Sequence, residues 1–195
     1  MLRVIMRLGL MLLVVMFVAS ACRQKTTPKP RGYFRIVLPE KDYQAFDQPF
    51  PYQFEYPSYA KAMPDTSVNA EAYWLNIVFP EMNGQIHISY KAVNDNFNDL
   101  LEDSRKLAYK HTIKADAINE RMFYNEQKQV MGILYEIKGN AASPLQFFAT
   151  DSLRHFIRGS LYFNAKPNQD SLAPVIGFVE EDVIRLMETL EWTNR

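Results

Sequence analysis

A single cysteine, Cys22, limits how this chain can hold itself together. One thiol supports no internal disulfide, no cysteine zinc site and no Cys-x-x-Cys redox centre, so the fold must rest on a hydrophobic core. The position of that cysteine is equally informative. Arg3 and Arg7 open the chain, residues 8–18 are an apolar stretch, and Ala19, Ser20 and Ala21 lead directly into Cys22. This is the pattern of a cleaved leader, with residues 1–21 removed between Ala21 and Cys22. The apolar stretch has about 11 residues where a spanning helix needs roughly 20, so a retained transmembrane helix is disfavoured. Small residues before a cysteine mark a lipoprotein leader. Such leaders usually carry Leu three residues ahead of the cysteine, where this one has Ala19 behind Val18. The alternative is an ordinary secretory cleavage near Ala21. Lipidation of Cys22 accounts for the lone thiol, because an exposed one would invite intermolecular oxidation. Acyl chains such as palmitate anchor by about 0.8 kcal/mol per buried methylene.

Residues 22–195 are enough for one domain with one core. The whole chain balances 22 basic against 22 acidic side chains, and loss of Arg3 and Arg7 leaves a slight acidic excess. Nucleic acid, which needs a basic face, is not an expected partner. Residues 23–30 are polar and carry Pro28 and Pro30. They predict a short extended tether of roughly 3 Å per residue, which keeps the domain, residues 31–195, close to the membrane.

Strands are predicted at 33–38 and 52–56, both as edge or entry strands, each stopped by a proline. The clearest element is a hairpin, 73–79 and 85–91, whose Asn83-Gly84 step supplies the positive φ of a tight turn. Residues 97–111 have helical periodicity with acidic residues ahead of basic ones and Asp95 or Asn96 as cap. A second helix is predicted from about 178 to 192. Strands at 130–138, 145–150 and 154–164, and a weaker one at 121–125, lie between them. Runs of strands with two helices predict a single α+β domain, an antiparallel β-sheet covered by two main α-helices.

Candidate chemistry is sparse. His87, His111 and His155 have no ligand spacing, and hydrogen-bonded structural roles are expected for them. The paper trios Ser104, His111, Asp116 and Ser152, His155, Asp151 lack an activating context, and no Gly-x-Ser-x-Gly elbow occurs. Glu180, Glu181 and Asp182 read as helix-start charges. No catalytic residue, metal or cofactor is expected. Strand alternation over 154–164 puts Arg154, Phe156, Arg158, Ser160 and Tyr162 on one face, with His155, Ile157, Gly159, Leu161 and Phe163 facing the core. The Arg and Tyr side chains make the first face a candidate partner surface.

Longer strings carry a resemblance. They are residues 28–43 (PKPRGYFRIVLPEKDY), 51–57 (PYQFEYP), 74–80 (WLNIVFP), 86–91 (IHISYK), 103–118 (DSRKLAYKHTIKADAI), 139–175 (GNAASPLQFFATDSLRHFIRGSLYFNAKPNQDSLAPV) and METLEW at 187–192. With these the chain resembles the gliding motility lipoprotein GldD family of the Bacteroidetes. The resemblance implies an envelope lipoprotein needed for gliding and the associated type IX secretion machinery, a non-catalytic assembly or stabilising subunit whose partners are other proteins of that machinery. Arg31, Tyr33 and Arg35 lie in a stretch that looks like a family hallmark and join Arg154, Arg158 and Tyr162 as candidate partner residues. Basic Arg23-Gln24-Lys25 behind the cysteine predicts a domain facing the periplasm, with the outer membrane favoured over the inner. The order of elements is also similar to that of the photosystem oxygen-evolving PsbP proteins, a likeness of fold that fixes no function. A ligand- or lipid-binding domain, and less so an envelope hydrolase, are the alternatives.

Overall fold

A computed structural model of the chain describes residues 36–110 and 115–193, together with Met6, Arg7 and Met11. In chain order the elements are β1 (Tyr43–Phe46), β2 (Tyr52–Pro57), β3 (Lys61–Pro64), β4 (Leu75–Phe79), β5 (Gly84–Ala92), α1 (Phe97–Tyr109), β6 (Ala115–Asn125), β7 (Val130–Gly139), β8 (Leu145–Thr150), β9 (His155–Phe163), α2 (Gln169–Thr189) and β10 (Glu191–Trp192). Seven strands form one antiparallel sheet in the order β3-β4-β5-β9-β8-β7-β6, and β1-β2-β10 form a second, smaller one.

Local chemistry sets the hairpin. β4 and β5 alternate buried and half-buried residues, and a single 3-10 turn at Pro80–Met82 joins them. Asn83 takes the left-handed conformation, with φ 49°, which Asn tolerates better than most side chains. Gly84 serves differently: Phe163 on β9 lies against it, and a Cβ there would stand 2.9 Å from the ring. After β5 the chain crosses through α1 to the far edge, then returns by the meander β6-β7-β8-β9 until β9 pairs with β5.

Each face of the large sheet has its own core. On one, Ile77, Phe79, Ile86, Phe147, Ile157 and Leu161 meet Val179, Val183, Leu186 and Met187 of α2 and the rings of Phe46, Tyr52 and Phe54 from the small sheet. On the other, Tyr135, Ile137, Phe148 and Phe156 pack with Phe97, Leu100, Leu101 and Ala108 of α1. The domain is therefore α+β, an antiparallel sheet with a helix on each face.

Several elements differ from expectation. Residues 36–38 are not a strand; Ile36 and Val37 are exposed, and pairing begins at β1. β2 is the centre of the small sheet, not an edge. β6 runs the full Ala115–Asn125, longer than 121–125, and as an edge strand with mostly exposed residues it shows no apolar alternation to mark its length. α2 starts at Gln169, well ahead of residue 178, and contains Pro174. Asn96 precedes α1, but its side chain accepts from the Asn94 N–H at 2.8 Å instead of capping forward.

Candidate functional site

On the face of the large sheet that carries α1, the helix packs over β7 and β8 with Phe156 at the start of β9 and Ala115 and Ile118 of β6. Across β9, β5 and β4 the same face presents half-buried polar side chains in rows fixed by strand register. Gln146 on β8 stands opposite Ser160 on β9, Ser160 opposite His87 on β5, and His87 opposite Asn76 on β4. One row along, Arg158 is opposite Ser89; in the other direction, Tyr162 is opposite Gln85. Directly paired residues project to the same side, so these rows line one surface. A cleft of about 380 Å³ opens over them, bounded by Asp65, Trp74, His87, Ser89, Arg158, Ser160 and Tyr162. A second hollow of about 490 Å³ shares His87 and Tyr162 and continues past Gln85 to Asn83 and Asn164.

Arg158 dominates the electrostatics of this cleft. Its Nη2 donates to Gln146 Oε1 at 2.7 Å, its Nε has no partner, and among the described residues it forms no ion pair. Burial pushes the guanidinium below its usual pKa, the mark of a charge removed from water without a counter-charge. Among the described residues, Asn76 Oδ1, Gln146 Nε2 and Ser160 Oγ are also buried without partners. Other groups at the rim are settled. Ser67 N–H donates to Asp65 at 2.9 Å and holds that carboxyl below its ordinary range; Gln85 bonds His87 at 2.9 Å; Lys91 pairs with Glu71 at 2.5 Å.

Of the candidate partner residues, Arg158 and Tyr162 stand on this face. Arg154 does not join them: it is exposed and precedes β9, its N–H donating to Asp151 Oδ1 at 2.8 Å. Arg31, Tyr33 and Arg35 lie outside the described residues, as do Ala21, Cys22 and His111. His155 is on the opposite face from His87, stacked on Trp192 at 5.1 Å with its Nδ1 2.9 Å from Tyr90 OH. Asp151, the acid of the paper trio, instead accepts the backbone N–H groups of Leu153, Arg154 and His155. Among the described residues no group of three or more His, Cys, Asp or Glu is placed to hold a metal, and no helix is long and apolar enough to cross a membrane.

The family model for gliding motility lipoprotein GldD matches residues 23–192. The chain belongs to the GldD family of gliding motility lipoproteins. No curated protein sequence matches it. Among solved structures it is similar to the solution structure of cyanobacterial PsbP (CyanoP) from Synechocystis sp. PCC 6803, with TM-score 0.48 and 10% identity over 84% of this chain and 99% of that one.

The matched region also holds a polar cluster that sequence reading missed. Glu180, Glu181 and Asp182 are not at a helix start but well inside α2. Asp182 is buried, and Lys41 Nζ at 2.6 Å, Tyr43 OH at 3.0 Å and Tyr59 OH at 2.7 Å all bond its carboxylate. The Lys41 ammonium also donates to the Phe178 carbonyl at 2.6 Å and lies 3.5 Å from the centre of that ring. Burial, and then the carboxylate, push the Tyr43 hydroxyl up to about 12 and Tyr59 higher still. The cluster fastens the segment before β1 to α2, which is a structural duty. Its signal was present in the sequence: Asp182 falls on the apolar stripe of Val175, Val179, Val183 and Leu186, where an acid requires a buried partner.

Proposed function

We propose that this gliding motility lipoprotein is a non-catalytic assembly or stabilising subunit of the gliding apparatus and of the type IX secretion machinery. In this reading Cys22 carries the lipid, the domain faces the periplasm from the outer membrane, and the partners are other envelope proteins of the same machinery. Family membership supports the setting. The observation that carries the mode of action is the half-open polar face around Arg158, where rigid strands hold charged, hydroxyl and aromatic groups in fixed register. Such a surface suits recognition, since Arg and Tyr anchors in a desolvated setting supply most of the energy of typical interfaces. Its histidine, His87, is tied to Gln85, which fits a positioned recognition group.

Chemical cross-linking in cells followed by purification of the lipidated chain tests this. The expected result is recovery with a gliding or secretion component. A chain recovered only as a free monomer, from cells whose gliding and secretion survive its deletion, would sink the proposal.

A further inference from the structure

We propose that the cleft at Arg158 is a carboxylate-binding site, taking a single monoanionic carboxylate borne on an organic group. The inference deepens the reading of this face as a recognition surface, and rests on it for the biological role though not for the chemistry.

A guanidinium in a half-buried sheet position costs stability unless its donors and charge are met. The neighbours of Arg158 along this face, Phe148 and Phe156, are apolar and buried, so packing alone does not call for a cation. Holding Gln146 uses one of five N–H donors. The remaining requirements lie side by side: Arg158 and Ser160 line the cleft, and Gln146 adjoins it, paired with Ser160 and bonded to Arg158. Gln146 and Ser160 are 1% and 3% exposed and each keeps a polar atom without a partner, while Arg158 Nε is likewise unmet. An amide N–H, a guanidinium N–H and a hydroxyl can all donate, and an anion is the ligand that accepts from all three. Asn76 Oδ1, the unmet acceptor, stands two strands away from Ser160 beyond His87.

Charge selects among anions. Asp65 borders the same cleft and is held as the carboxylate by the Ser67 N–H, so the described lining offers one fixed positive and one fixed negative charge. A phosphate dianion would bring excess negative charge beside Asp65, whereas one carboxylate on Arg158 leaves the cleft balanced. A planar carboxylate also matches the fork of the guanidinium, which binds it through two parallel hydrogen bonds. Trp74 and Tyr162 give the cleft aromatic walls for the organic remainder, as is usual where a few polar groups orient a ligand. The carboxylate can come from a polypeptide C-terminus or from a free organic acid.

The test measures the melting temperature of the full lipidated chain in detergent, at constant ionic strength. The probes are acetate, N-acetyl-diglycine, the amide of that peptide and inorganic phosphate. A ligand that binds only the folded state raises the melting temperature. With a Kd on the order of 1 mM, the free-acid peptide at about 10 mM should raise it by about 3 °C, and the amide should not. An equal rise with acetate assigns the site to small organic acids; a rise with the peptide acid alone assigns it to a chain terminus. Arg158→Lys should abolish the rise, while Arg154→Gln, which alters an exposed arginine outside the strand, should keep it. If Arg158→Lys does not fold, the acid-against-amide contrast on the natural chain decides alone, with Tyr162→Phe as a milder variant expected to weaken it. Equal rises with acid and amide, no rise with either acid, a larger rise with phosphate, or an undiminished rise in Arg158→Lys would each overturn the proposal. Carboxylate binding without cellular cross-links would leave the site standing and remove the assembly role; cross-links without carboxylate binding would do the reverse.

Discussion

Asp182 is the residue whose environment says most about what the fold spends polar chemistry on. Its carboxylate is bonded by Lys41, Tyr43 and Tyr59 from the segment around β1 and β2, so its removal takes the close counter-charge from a part-buried ammonium and the acceptor from two hydroxyls. Asp182→Ala should cost about 3 kcal/mol, read by urea unfolding, and should free the 36–46 segment for proteolysis before global unfolding. His155 gives a pH signature. Burial, the largest influence, lowers its pKa in the folded state despite the opposing pull of Asp151, with Arg154 adding to the lowering. The unfolded chain therefore takes up the proton first, at about 6.5. Stability from this group is complete above that value and declines as pH falls through the folded pKa below it. A melting curve measured from pH 7.5 down to about pH 5 should decline, and His155→Phe, which keeps a ring on Trp192, should flatten that decline. For His155 a hydrogen-bonded structural role was legible in the sequence but its partners were not, and the signal of Asp182 on the apolar stripe of α2 was masked. Asp182 was hidden because the start of α2 was placed too late, and the partners of His155 because Tyr90 and Trp192 are distant in the chain.

Elements were legible where the pattern of burial is local. β4, β5, β7, β8 and β9 all fall where alternation and turn residues place them, and the two faces of β9 divide as the period of two requires. What escaped was set by neighbours. β6 is an outermost strand with Asp116, Asn119, Glu120 and Arg121 in it, a polar edge of the kind that discourages further strand pairing, and polarity masked its length. The first turns of α2 carry Pro174 and Gly177, both helix-unfavourable, yet Asn168 caps the start by accepting from Ser171 N–H, and Val175 is buried in the core. Tertiary burial outweighs local propensity there. Close approach inside the sheet is equally invisible to periodicity. A Cβ on Gly159 would collide with the Phe147 ring across the β8-β9 pair. Gly159→Ala should therefore destabilise by about 1–3 kcal/mol through forced repacking, measurable as a lowered denaturant midpoint at unchanged slope.

For the whole molecule, the sequence led to the α+β class, to two helices covering an antiparallel sheet and to the family, while the placement of one helix on each face, the small sheet and the polar cleft emerged only once strands were set side by side. Gln146, Ser160, His87 and Asn76 come from four strands, and no spacing along the chain announces that they form one row. Of the candidate partner residues that the structure describes, Arg158 and Tyr162 reach it and Arg154 does not, because it stops short of the strand. In the proposed function the lipid and the face divide the work: Cys22 would set location and the face would set company. Cys22→Ser should move the chain from the membrane fraction to the soluble fraction with an unchanged melting temperature; retention in the membrane would argue against lipid at that residue.

The central claim, that the open face holds a partner of the gliding and secretion machinery, is tested most directly by photo-cross-linking in living cells from Ser89 and from Tyr162, with exposed Val68 as the control position. The account predicts that both face positions attach to a component of that machinery and that Val68 does not. Attachment from Val68 alone, or no adduct from either face position in cells that glide and secrete normally, would contradict it.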